Sequence, residues 1–232
     1  MQEKIITISG TSGTGKSFLS DKLLQTFPGI TEIAGITTRP MREGEIQGKS
    51  SHFITMEEFK KMEEERKLTL IKEFFGNKYA WFKSDLMNDE KFKIMNISYK
   101  SIQELREKGL DLFAIFVRPS SEKQLRTMLQ ARNSSQAEYE KRMRDYYESE
   151  EFLAKSNDLF DLIFTNGYDE RSTNEFLSCF ADQFILSKQV EGQDIEERID
   201  QLLQANAKAD YNISVAESII REQQRRRMRD GE

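Results

Sequence analysis

The sequence is poor in the residues that cross-link or punctuate a chain, with one cysteine, three prolines, one histidine and one tryptophan in 232 residues. The single thiol, Cys179, permits no internal disulfide, and a reducing compartment is its simplest setting. His52 alone leaves no histidine-based catalysis or metal cluster to propose; at an apolar strand edge, its expected role is packing. No apolar run nears the roughly 20 residues that span a bilayer. The N-terminus leads directly into a strand pattern, without a signal peptide's basic region and cleavage site. A net charge of −5 argues against general nucleic-acid binding through charge. These absences point to a cytoplasmic chain with no membrane role.

What is present alternates between strand and helix patterns. Lys4–Ser9 is a β-branched run that stops at Gly10, and from Ser17 the apolar spacing turns helical as far as Pro28-Gly29. Core-strand patterns return at Phe92–Ile97, Leu112–Val117 and Leu159–Phe164. Helices are expected over Tyr99–Lys108, through much of the charged stretch Ser121–Lys155, and over Asp169–Leu186. Such alternation implies an α/β fold, a mainly parallel sheet flanked by helices. Residues 36–88 are polar and interrupted by turn signals, apart from a capping box at Thr55 that opens a helix at Met56. An insertion of this size in a compact domain usually serves function. After residue 187 the composition changes. Two helical stretches, Asp194–Ala205 and Ser214–Arg229, form a C-terminal helical extension (188–232). They either pack on the domain's own surface or serve self-association or a protein partner. The closing arginine run, Arg225–Arg227 and Arg229, reads as a solvated helix end.

The densest chemistry lies at Gly10-Thr11-Ser12-Gly13-Thr14-Gly15-Lys16-Ser17, which matches G-x-x-x-x-G-K-[ST] between a strand and a helix. The glycines allow backbone angles and close approaches that a Cβ blocks. Successive N–H groups then form an anion nest at a helix N-terminus, which continues through Phe18. Lys16 supplies a point charge to the β- and γ-phosphates, and the Ser17 hydroxyl is a ligand for Mg²⁺. The expectation is a P-loop NTPase fold that binds a nucleoside triphosphate with Mg²⁺, and the loop alone does not separate kinases from GTPases or motor ATPases.

Further motifs follow in order. Thr37-Thr38-Arg39-Pro40-Met41-Arg42-Glu43-Gly44-Glu45 resembles the T-T-R-x-P-R-x-G-E signature of guanylate kinases, with the proline one place early. Gln47-Gly48-Lys49, His52-Phe53-Ile54, Phe75-Gly76-Asn77-Lys78-Tyr79 and Pro119-Ser120 resemble later elements of that family, and the likeness runs from about Lys4 to Leu186. It implies a guanylate-kinase-like domain over 1–187, with an acceptor-binding insertion at about 36–88 and a helical lid at about 121–155. It also implies ATP-dependent phosphoryl transfer to a nucleoside or deoxynucleoside monophosphate, GMP or dGMP first. By the same resemblance Thr38, Arg39, Arg42 and Tyr79 hold the acceptor phosphate, and Arg132 and Arg142 are lid arginines acting with Lys16. A third lid position is Met128, and Asn166 lies near the donor adenine.

The departures gather where the family reads its acceptor base. Its D-Y is Ser50-Ser51 here, and its base-reading glutamate falls on or near Leu70, with Glu73 the nearest carboxylate in that strand. A small pair becomes Ala80-Trp81. The D-I-D at a strand end becomes Asn96-Ile97-Ser98, leaving Asn96 and Ser98 to contact substrate. Phosphate handling is kept while base handling is rewritten, so another or a modified base is an expected acceptor. The other class of reading is a non-catalytic module that binds a phosphorylated partner. Such modules typically lose the phosphate loop, and this chain keeps it whole.

Overall fold

The structure, a computed structural model, describes residues 5–27, 29–42, 44–49, 51–74, 76–87, 92–131 and 135–189, with side chains as far as Phe184. The first half of the chain supplies β1 (Ile5–Ser9), α1 (Lys16–Thr26), β2 (Ile30–Glu32), β3 (Ile36–Thr37), β4 (His52–Phe53) and α2 (Met56–Glu64). Then come β5 (Leu68–Phe74), β6 (Asn77–Phe82), α3 (Lys83–Met87) and β7 (Phe92–Asn96). A 3-10 turn, Tyr99–Ser101, leads into α4 (Ile102–Glu107), followed by β8 (Leu112–Pro119), α5 (Glu122–Gln130), α6 (Gln136–Lys155), β9 (Leu162–Asn166) and α7 (Glu170–Gln189).

Five strands form one parallel sheet in the order β2-β7-β1-β8-β9, with Ile6 opposite Ile94 and Phe113. Helices cover both faces, so β1 and β8 are almost wholly buried and read as continuous apolar runs. The pleat divides the core. Ile6, Ile8, Leu19, Leu23, Phe113, Phe180 and Phe184 pack on the side of α1 and α7. Ile5, Met95, Tyr99, Phe116 and Leu153 pack on the other, beneath α4 and α6. The strand order reverses around β1, which lies between β7 and β8, and the loop leaving its carboxyl end therefore opens into the crevice where open α/β sheets bind ligands.

Residues 36–82 build a second sheet, β4-β3-β6-β5, with a small core of Ile36, Phe59, Leu68 and Ala80. Its helix α2 starts on the expected capping box, where Thr55 Oγ1 accepts from Glu58 N and Glu58 accepts from Thr55 N at 2.7 Å. The pairing of β5 with β6 slips between Thr69 and Lys72, and Leu70, in the slip, has φ of 54°. In the charged segment expected as helical, α5 ends at Gln130 and α6 starts on a second capping box at Ser135. The run expected as a strand from Leu159 begins with a 3-10 turn, Asn157–Leu159, and pairs only from Leu162. Helix α7 extends to Gln189, and the expected extension from residue 190 lies outside the described residues. Among the described residues no helix is long and apolar enough to cross a membrane.

Candidate active site

The phosphate loop is shaped by glycines held closely against their neighbours, Gly10 against strand backbone and Gly13 and Gly15 against side chains. Gly10, Gly13 and Gly15 have φ of 131°, 91° and 89°. A Cβ on Gly10 would stand 2.2 Å from the Val117 carbonyl oxygen, and one on Gly15 would stand 2.4 Å from Asn166 Nδ2. The loop is tied from inside, since Thr14 Oγ1 and Lys16 Nζ both donate to the Thr11 carbonyl, at 3.0 and 2.6 Å. Helix α1 begins at Gly15 with no side-chain cap and no acidic residue in its first turn, whereas α2, α5 and α6 all carry Ser or Thr caps. Its orphan N–H groups and positive dipole end thus face the loop, the arrangement that holds a phosphate. Ser17 and Phe18 stand exposed on the first turn, with Lys22 Nζ 5.5 Å over the Phe18 ring.

Asn166, at the end of β9, is buried and committed to this loop. Its Nδ2 donates to the Thr14 carbonyl at 3.0 Å, and its Oδ1 accepts from Tyr168 N at 2.9 Å. Tyr168, a positive-φ residue that sequence reasoning passed over, donates its hydroxyl to the Gly13 carbonyl at 3.0 Å. Two side chains from one turn therefore fix two successive parts of the loop. The signal for them is that turn, Asn166-Gly167-Tyr168-Asp169 after a core strand.

Arg142 reaches the loop from α6 and donates to Ser12 Oγ. The other arginines sit on the loop after β3. Arg39 forms a two-pronged pair with Glu45 at 2.6 and 2.7 Å and lies 5.0 Å over the Phe53 ring. Glu45 also accepts from Arg42 N at 2.7 Å, so this carboxylate braces the whole loop. The pairing holds the Glu45 carboxyl below its ordinary value and raises Arg39. Arg42 moves the other way, lowered first by partial desolvation and then by the like charges of Arg39 and Arg142, with Glu45 and Tyr79 opposing. Arg39, Arg42, Arg142 and Tyr79 therefore converge beside the phosphate loop, though they come from three distant stretches of sequence. Thr38 Oγ1 accepts from Lys78 N at 2.9 Å, so its hydroxyl joins β3 to β6. Arg132 lies outside the described residues.

At the end of β7, Asn96 Oδ1 and Ser98 Oγ are buried without hydrogen-bond partners among the described residues, as is Thr11 Oγ1 in the loop. With the Ser17 hydroxyl these are hard oxygen donors, and among the described residues no cluster of three His, Cys, Asp or Glu residues is placed to cage a metal. That donor set fits Mg²⁺, which keeps several waters and binds through few protein oxygens together with nucleotide phosphates. Leu70 and Trp81 are 3% and 6% exposed and share a core cluster with Ile33 and Ile97. The Trp81 indole N–H is buried without a partner. Glu73 is exposed on the same strand as Leu70.

Comparison with known proteins gives one consistent picture. The family model for guanylate kinase matches residues 2–182. The chain is 32% identical to a guanylate kinase of Clostridium perfringens over 157 residues, 66% of this chain and 73% of that one. It is 34% identical to a guanylate kinase of Blochmanniella floridana over 134 residues, 54% of this chain and 62% of that one. The crystal structure of guanylate kinase from Anaplasma phagocytophilum superimposes with a TM-score of 0.56 at 22% identity, over 75% of this chain and 82% of that one.

Proposed function

The chain belongs to the guanylate kinase family, and from that premise we propose how its residues move the γ-phosphoryl group of ATP to a nucleoside monophosphate. The observation that carries the assignment of roles is the hydrogen bond from Arg142 to the phosphate loop, with Arg42 within electrostatic reach of both Arg39 and Arg142. Phosphoryl transfer brings two anionic nucleotides together in line, and catalysis consists of positioning them and neutralising their charge.

The backbone of Gly10 to Ser17 holds the donor's β- and γ-phosphates, and Lys16 exchanges its contact with the Thr11 carbonyl for the γ-phosphate. Arg142, from the lid helix, spans the transferring group. Arg42 and Tyr79 grip the acceptor phosphate, on a loop that the Arg39–Glu45 pair keeps in shape. Arg132 is the second lid arginine. Asn166 serves the donor site through the loop it fixes. No general base is needed, because the acceptor phosphate is already a nucleophilic anion. The Ser17 hydroxyl would hold Mg²⁺ together with the bound nucleotide, and the ion would supply neutralisation of phosphate charge there. GMP and dGMP are the first acceptors. Leu70 offers no carboxylate to guanine's N–H donors, so the insertion at 36–88 tolerates other bases more readily than a carboxylate would allow. A reaction fed by ATP suits a cytoplasmic setting.

Arg42 gives the sharpest test of this division. Its side chain reaches solvent and, among the described residues, makes no two-pronged pair of the Arg39 kind. Arg42→Ala should raise the acceptor KM about tenfold or more, the loss of one charge-assisted hydrogen bond to a phosphate. The KM for ATP should stay within about twofold. Initial rates with each nucleotide varied in turn measure both; an equal rise in the two KM values would place Arg42 outside the acceptor site.

A further inference from the structure

Helix α6 brings a second charged side chain toward the phosphate loop besides Arg142. Asp145 lies three residues on, one turn along the same face, and Ser149 continues that face into the interior. The Asp145 carboxylate is half-buried and accepts from the Tyr99 hydroxyl at 3.3 Å. Tyr99 is fully buried and follows directly on Ser98. Asp145 is therefore tied to the turn that follows the end of β7, where Asn96 Oδ1 and Ser98 Oγ are buried without partners among the described residues. The positive charges facing it are Lys100, from the turn after β7, and Lys16, from the phosphate loop; the negative one is Glu148 on its own helix.

A carboxylate within electrostatic reach of Lys16 is at odds with a site that exists to gather phosphates. It would repel the γ-phosphate that Lys16 attracts, unless a cation stands between them. Nucleotide-bound Mg²⁺ is such a cation, since it keeps most of its waters and uses one or two carboxylates beside the phosphate oxygens. The strand end that points into this crevice carries only the neutral Asn96 and Ser98. We infer that Asp145, on the lid helix, supplies the carboxylate of the divalent-cation site, accepting hydrogen bonds from the water shell of the nucleotide's metal alongside the Asn96 and Ser98 oxygens. The inference rests on the nucleotide kinase reading. It also joins lid position to metal binding, because the helix that brings Arg142 to the loop brings Asp145 to the cation.

The test uses the full chain and Mn²⁺ as a paramagnetic substitute, with free Mn²⁺ measured by electron paramagnetic resonance during titration of the protein with ATP present. Asp145→Asn keeps the shape and can still accept from Tyr99, but loses the charge. Tyr99→Phe removes the tie between α6 and the strand end and leaves the carboxylate. Asp145→Asn should weaken Mn²⁺ binding in the nucleotide complex about tenfold, the scale of losing an outer-shell metal partner. It should also raise the Mg²⁺ concentration for half-maximal rate by a similar factor, while Tyr99→Phe changes either by less than about twofold. Unchanged Mn²⁺ affinity in Asp145→Asn, or equal loss in the two variants, would overturn the inference and leave Asp145 a tether. A wild-type chain that holds no Mn²⁺ with ATP would overturn both the inference and the kinase reading.

Discussion

Replacing Lys16 with alanine should lower kcat about a thousandfold, about 4 kcal/mol of transition-state stabilisation, while leaving the protein folded. The size follows from where the charge acts. Lys16 Nζ donates to the Thr11 carbonyl within its own loop at 2.6 Å, a contact of the ordinary hydrogen-bond kind. Losing it costs about 1 kcal/mol of stability, which lowers the melting temperature by about 2 to 4 °C in a chain this long. On the proposed mechanism the same ammonium meets oxygens whose charge is shifting in a site that Arg142 closes, where fixed charges are worth far more than in water. Lys16→Arg should recover little, because a planar fork does not replace a compact point charge in a cradle of backbone N–H groups. Single-turnover rates with saturating nucleotide, beside a thermal melt, separate the two effects. A variant that kept a tenth of the wild-type kcat would remove Lys16 from the transition state.

The second large effect is on the fold itself. Gly10→Ala should destabilise the chain by about 3 kcal/mol or more and abolish nucleotide binding. The new Cβ would stand 2.2 Å from the Val117 carbonyl oxygen, and Gly10 holds φ of 131°. Val117 cannot give way, because β8 is paired on both sides, with β1 and with β9. Gly109→Ala is the control. It also has a positive φ, of 75°, but nothing lies within 4 Å of its added Cβ, so only the left-handed backbone is strained. That costs about 1 to 2 kcal/mol. Urea unfolding of the pair should give a clearly larger loss at Gly10. Equal losses would mean that the loop backbone can move away from β8.

How much of this was legible in the sequence varied with the reach of the interactions. The phosphate loop could be read because each of its residues answers a local demand, a glycine angle or a lysine beside a helix start. The same holds for the capping box at Thr55. The box at Ser135, with Glu138 three residues on, was equally local, and it marks the restart of α6 within a stretch read as broadly helical. The four-stranded sheet of the insertion was hidden, because β3 and β4 have two residues each and pair with distant segments, giving no periodicity to detect. Family motifs named Arg39 and Arg42 together. Only the structure separates them, by showing Arg39 spent on Glu45 and Arg42 facing Arg142. Tyr168 reaches Gly13 across 155 residues and Asp145 meets Tyr99 across 46, separations at which composition and pattern say nothing. Arg132 and the extension from residue 190 lie outside the described residues.

The measurement closest to the central claim is ADP release from ATP and Mg²⁺, with each common ribo- and deoxynucleoside monophosphate offered in turn and the Lys16→Ala variant alongside. The account predicts that ADP forms only when an acceptor is present, with GMP or dGMP among the acceptors, and that the variant lowers its release about a thousandfold. ADP release that no monophosphate stimulates, or that survives largely intact in Lys16→Ala, would contradict it.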